Sequence, residues 1–179
     1  MKLSAIVLGS AIALAHSIAA SGEESPREAI ERQYQKSVEA TKLRYLDGCL
    51  SVRHPKFSAL DQEGRAARVD LELQRLKNIL STSIHIEEEL EVLTFERVND
   101  AKIHCEIHDH LKFVVANEAL KDAQMVELET RARDTWVKTP LGWRLLTSRI
   151  LKQESKAKPF VRASSGSGGH ETPPANTPP

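Results

Sequence analysis

A chain of 179 residues with 25 basic and 25 acidic side chains carries no formal net charge at neutral pH. Such a length holds one domain of ordinary size with room for a real core. The charge balance excludes broad electrostatic steering, so no nucleic-acid partner is expected.

The first twenty residues read as an export signal rather than as part of the fold. Lys2 supplies a short positive region, residues 3–15 are small and apolar, and Ser17-Ile18-Ala19-Ala20 offers a small-residue cleavage site. The apolar run is too short to span a bilayer comfortably, so no stable membrane insertion is expected. With residues 1–20 removed, the mature chain belongs in a periplasm or outside the cell.

The folded domain is expected over residues 24–156. Ser25-Pro26-Arg27-Glu28 marks a helix start, with Ser as cap, Pro at the first helical position and Glu reaching back. Ile30, Tyr34, Val38, Thr41 and Tyr45 recur at helical spacing as one buried stripe. Asp47-Gly48 interrupts this helix and opens a short second one, which Pro55 stops. Phe57, Ala59 and the turn Asp61-Gln62-Glu63-Gly64 suggest a short extended piece. A third helix follows, with Val69, Leu73, Leu76 and Leu80 on one face and Arg68, Glu72 and Arg75 toward water.

From Ser83 the apolar period changes from about 3.6 to 2. Ile84, Ile86, Leu90, Val92 and Phe95 read as a strand with a bend or bulge near Val92-Leu93, and Asn99-Asp100 is a turn. Ile103, Cys105, Ile107, Leu111, Phe113 and Val115 line one face of the next strand. Residues 117–122 connect to a strand over 124–138, which pairs through Thr139-Pro140-Leu141-Gly142 with a strand over 143–152. Helices first and consecutive hairpins after them give an α+β domain, an antiparallel sheet covered on one side by helices. Helices do not alternate with strands and no Gly-rich phosphate loop occurs, so a βαβ enzyme fold is disfavoured and no cofactor is expected. Residues 163–179, rich in Ser, Gly and Pro, hold nothing apolar larger than Ala or Pro to offset ordering, so a disordered tail is expected. Cys49 and Cys105 could form one disulfide in an exported chain or remain two buried free thiols.

The chain resembles the nuclear transport factor 2-like, or ketosteroid-isomerase-like, superfamily, in the branch known as domain of unknown function 4440. The resemblance runs from Ala29 to about Gln153. It rests on Ala29-Ile30-Glu31-Arg32-Gln33-Tyr34, on Asp47 and the segment from Phe57 to Arg65, and above all on Arg133-Asp134-Thr135-Trp136 with Gly142-Trp143-Arg144-Leu145. It implies a cone in which a strongly curved sheet and three helices enclose a pocket, often in a homodimer. Members include isomerases, dehydratases and cyclases beside domains with no assigned reaction, so the fold licenses a pocket rather than a chemistry.

Strand alternation puts Asp109 between Ile107 and Leu111 on the apolar face. There a carboxylate must be paired or carry a raised pKa, which makes it the catalytic candidate for general acid–base work. Counting back from a Lys138–Trp143 pair sets Asp134 opposite Thr147 and diagonal to Arg149, a carboxylate–guanidinium pair that locks the hairpin. Trp136 shares Asp134's parity and, with Tyr34 on the first helix, could face a ligand or simply fill the core. Tyr34, Asp134, Trp136 and Arg149 are thus the binding candidates. His104, Glu106 and His108 stand on the opposite face, spaced about 6.6 Å apart, too wide for one zinc, so no metal is expected. A paired histidine and aspartate inside the pocket, the resemblance's better-known dehydratase arrangement, is not reproduced, because His104 and Asp109 point to opposite faces. Val114, Leu146 and Ile150 would give the outer face its apolar contacts in a homodimer. The functional expectation is a pocket binding a small apolar molecule, with an isomerase- or dehydratase-like enzyme using Asp109 as the alternative and a protein-interaction module as a third reading.

Overall fold

The computed structural model describes residues 24–115 and 123–160. The expected export signal, the 117–122 connection and the C-terminal tail lie outside the described residues. The first helix, α1 (Pro26–Lys42), opens on the expected capping box. Ser25 Oγ accepts from the Glu28 amide at 3.3 Å and the Glu28 carboxylate accepts from the Ser25 amide at 3.0 Å. Ile30, Tyr34, Val38 and Thr41 form its buried stripe.

Tyr45, expected in that stripe, is 58% exposed, because the helix has already ended at Leu43 and Arg44 takes a φ of 57°. The break therefore precedes Asp47-Gly48 instead of falling on it. Gly48 lies inside α2 (Leu46–Ser51), where a Cβ would come within 2.6 Å of the Tyr45 ring and 2.7 Å of Ala40. Its role is close packing. Pro55 does not stop this helix, which ends before it; Pro55 lies within β1 (Arg53–Leu60), tolerable because β1 is an edge strand. The Asp61–Gly64 turn forms as expected, with the Gly64 amide donating to the Asp61 carbonyl at 3.0 Å and φ at 81°. In α3 (Val69–Thr82) Leu80 is buried, Leu73 and Leu76 are half-buried, and Val69, the first residue, is exposed.

Four strands follow in sequential hairpins: β2 (Ser83–Asn99), β3 (Lys102–Val115), β4 (Gln124–Thr139) and β5 (Gly142–Pro159). They form an antiparallel sheet in the order β1-β5-β4-β3-β2, with β1 joining at the edge parallel to β5. The molecule is thus α+β, its N-terminal helices packed on a curved, open sheet. The curvature has a local cause. Single extra residues bulge from β2 at Ile84, Leu93 and Val98 and from β5 at Leu146 and Leu151, and each bulge bends its strand and increases its twist. The Leu93 bulge matches the expected bend, whereas β5 runs on to Pro159, past the expected end at Lys152.

Two apolar cores occupy the inner face. One gathers Ile30, Tyr34, Val52, Ile103, Cys105, Ile107, Ala132, Trp136 and Trp143; the other gathers Ala40, Cys49, Leu80, Ile86, Phe113 and Leu128. Cys49 and Cys105 fall in different cores and are free, buried thiols. Val114, expected to serve an outer interface, is 1% exposed and already buried within the chain.

Candidate functional site

Between the two cores, polar side chains cross the sheet. Leu90 pairs with Asp109, Asp109 with Thr130, and Thr130 with Gln153, whose Nε2 donates to Thr130 Oγ1 at 3.0 Å. Residues directly opposite in antiparallel pairs project from the same face. Asp109 therefore stands on the inner face, as its parity with Ile107 and Leu111 predicts. Glu88 pairs with Leu111 and is the diagonal neighbour of Asp109 on that face.

Both residues are half-buried, and each leaves one buried oxygen, Asp109 Oδ1 and Glu88 Oε2, with no hydrogen-bond partner among the described residues. Burial raises the pKa of Asp109 to about 7, and the negative charges of Glu88 and Asp134 push the same way. Burial likewise raises Glu88 to about 7, with the Thr41 hydroxyl and the Lys42 ammonium pulling it back. Glu88 did not emerge from the sequence, although its place between Ile86 and Leu90 is the same signal that singled out Asp109.

Asp134 occupies a different setting. It is 1% exposed, and the Tyr34 hydroxyl donates to its Oδ2 at 2.7 Å. The Trp136 indole Nε1–H in turn donates to the Tyr34 oxygen at 2.8 Å, with the two rings edge to face at 4.9 Å. Burial raises Asp134 to about 6, against the pull of the Ser148 and Tyr34 hydroxyls and the Arg53 guanidinium. Burial and the charge of Asp134 hold the Tyr34 phenol well above its ordinary range, and burial followed by that charge lifts the Cys105 thiol to about 12. The structure thus unites Tyr34, Asp134 and Trp136.

Arg149 is not part of this group. The bulge at Leu146 shifts the register by one, so Asp134 faces Ser148 rather than Thr147. Arg149 is exposed on the other side, donating to the Gln62 carbonyl at 3.0 Å. The expected carboxylate–guanidinium pair does not form. Trp136, 0% exposed, is committed to Tyr34 and the core, so its ring offers no stacking surface.

An open groove of about 580 Å³ runs between α1 and β2. Tyr34, Val38, Leu90 and Val92 supply its apolar side, and Glu31, Glu39, Lys42 and Glu91 its charged side. Leu90, the strand partner of Asp109, and Tyr34, the partner of Asp134, belong to its wall, while Asp109, Asp134 and Glu88 themselves are not among its lining residues. On the outer face the histidines meet acids across and along the strands. His104 pairs with Glu96, His108 with Glu91 and His110 with Glu89, while His85 contacts Glu87 at 2.9 Å. Glu106 instead faces Arg133, at 3.4 Å. Among the described residues no group of three or more His, Cys, Asp and Glu side chains is placed to hold a metal ion, and no helix is long and apolar enough to cross a membrane.

No family model matches the chain, and no curated protein matches it significantly. Solved structures do share its fold. A conserved protein from Planctomyces limnophilus aligns with a TM-score of 0.57 at 17% identity, covering 75% of this chain and 97% of that one. The hexachlorocyclohexane dehydrochlorinase LinA-type3 from Novosphingobium barchaimii aligns with a TM-score of 0.56 at 13% identity, covering 83% and 94%. A domain of unknown function with a cystatin-like fold from Nostoc punctiforme aligns with a TM-score of 0.53 at 12% identity, covering 70% and 75%. The chain accordingly shares the cystatin-like fold of the Nostoc domain.

Proposed function

We propose that this domain is a small-molecule enzyme that transfers protons with an inner-face carboxyl, in the manner of isomerases, dehydratases and cyclases. The observation that carries the reading is Asp109: a half-buried carboxyl on an apolar sheet face, raised to about 7, with one buried oxygen left without a partner. A pure binding pocket has no use for such a group, which costs stability wherever it is ionised without a partner. A proton-transfer catalyst does, because a base works best with a pKa near the operating pH. The similarity in fold to a dehydrochlorinase supports the enzyme reading over the binding-only one.

The substrate that this groove suits is an apolar-bodied molecule against Tyr34, Val38, Leu90 and Val92, its acidic C–H directed past Leu90 toward the Asp109 paired with it. Asp134 holds Tyr34 in place, and Trp136 fixes the phenol from the other side. Within the superfamily, the Trp-flanked hairpin motif supports the branch named domain of unknown function 4440. The N-terminal sequence supports export to a periplasm or the medium, and the acid–histidine outer face of the sheet suits a homodimer.

The test is deuterium incorporation next to the carbonyl of cyclohexanone in D₂O, followed by proton NMR. Wild type should accelerate exchange, with a rate rising as pH passes about 7, where Asp109 becomes ionised. Asp109→Asn should lose about 100-fold or more of that acceleration. Wild-type exchange no faster than buffer, together with saturable ketone binding, would return the domain to the binding-only reading.

A further inference from the structure

We propose that Glu88 and Asp109 act as one carboxyl pair holding a single proton, so that the site offers a base and an acid together and suits an uncharged substrate whose leaving group departs only with a proton. This inference rests on the proton-transfer reading above and narrows its substrate class. Its geometric basis is the strand register. Glu88 and Asp109 are diagonal neighbours on adjacent strands and project from one face, close enough for their carboxyls to interact. Each keeps one buried oxygen without a partner, and so does Asp134 Oδ1 on the same face, in a residue 1% exposed.

Among the described residues the groups facing the pair are few. From α1 come the Thr41 hydroxyl and the Lys42 ammonium, from α2 the Cys49 thiol, from β4 Asp134, and from β1 the Arg53 guanidinium near Asp134. Only Lys42 and Arg53 among them are cationic, and Lys42 is also 3.5 Å from Glu39. Two carboxyls so placed do not both ionise readily, and near pH 7 one proton is shared between them.

The chemistry follows from that shared proton. Ionised Asp109 takes the proton from the carbon beside a carbonyl, and the C–H electron pair becomes the new C=C bond. The bond to the leaving oxygen breaks, and protonated Glu88 gives its proton to that oxygen, which departs as water. Asp109 is left protonated and Glu88 ionised, and proton exchange with solvent resets the pair. A halide or phenoxide leaves as a stable anion and has no need of Glu88; a hydroxyl does. An anionic substrate is disfavoured, because the pair carries a negative charge and Glu31, Glu39 and Glu91 line the groove.

Two measurements test the pair. The first compares elimination of water from a β-hydroxy butanone with elimination of nitrophenoxide from its nitrophenyl ether. Glu88→Gln should lose about 100-fold on the hydroxy ketone and less than about tenfold on the ether. Equal losses on both would overturn the proposal while leaving Asp109 as a base. The second needs no turnover: NMR titration of carbon-13-labelled carboxyls in wild type and Glu88→Gln. The Asp109 midpoint should fall by about one unit when Glu88 is neutralised, the coupling expected of a proton-sharing pair. An unmoved midpoint would sink the pair. A wild type that eliminates neither compound, with the midpoint shifting as stated, would instead sink the proton-transfer reading and keep the pair.

Discussion

Asp134 and Asp109 project from neighbouring strands onto the same inner face, and burial lifts both above the ordinary carboxylate range. Their surroundings then diverge. Asp134 sits among the aromatic side chains of the first core and receives the Tyr34 hydroxyl, itself held by Trp136. Asp109 lies between the two cores with Leu90 and Thr130 as strand partners and a second carboxyl, Glu88, beside it, and both aspartates leave Oδ1 without a partner among the described residues. The same side chain on the same face is thus tied to a tyrosine hydroxyl in one place and set beside a second carboxyl in the other. What separates the two settings is the Tyr34 hydroxyl on Asp134 Oδ2.

Substitutions at the two sites differ in size and sign. The largest effect is expected in the first core: Trp143→Ala should cost about 3–5 kcal/mol, because the ring is 5% exposed and packs in the same core as Ile30. Denaturant midpoints check this, and near-wild-type stability with ligand binding lost would move Trp143 from core to site. Tyr34→Phe should cost about 1–3 kcal/mol, since it strands the Trp136 donor and an Asp134 oxygen in the same step. A negligible loss would show that the first core is held by packing alone.

At Asp109 the sign reverses. Asp109 has a folded pKa of about 7 against about 3.9 in the unfolded chain, so between those values the native state binds more protons. Stability therefore falls as pH rises through that window, and the loss is complete above it. Asp109→Asn should be stabilising by on the order of 1–2 kcal/mol at pH 8 and should gain nothing below pH 4. Thermal melts across that range read it directly. Asp134→Asn should have the smallest effect, about 1 kcal/mol or less, because an amide oxygen can still accept from Tyr34. Ligand retention by this variant should match wild type, and its loss would give Asp134 a direct part in binding.

The local signals in the sequence carried most of the fold. Ser25 and Glu28 predicted the capping box, and the shift from helical to strand period at Ser83 falls where α3 gives way to β2. The bulge at Leu93 was legible because it breaks the parity between Val92 and Phe95. The bulge at Leu146 was not, because Leu145 and Leu146 are both apolar and either could face inward. That one residue moved Asp134 from Thr147 to Ser148 and turned Arg149 to the outside. Gly48 misled for another reason: a glycine within a helical stretch reads as a break, whereas here it is a steric requirement set by Tyr45 and Ala40. Glu88 was hidden by its own neighbours. It lies in a run of acids, Glu87 to Glu89, that looks uniformly solvated until strand parity is applied to each member.

The open sheet leaves two long borders, β1 and β2, and each discourages a stranger from adding a strand. On β1, Pro55 lacks an amide hydrogen and interrupts any ladder that a newcomer would try to extend. On β2, Glu87, Glu89, Glu91 and Glu96 line seventeen residues of border, so a second copy docking there would bring its own row of acids against them. Runaway stacking of copies into fibrils is resisted at both ends of the sheet. A strand-adding intruder would have to be rich in lysine or arginine to overcome the β2 side, which turns a composition that looks merely soluble into a filter on which chains can zip onto this one.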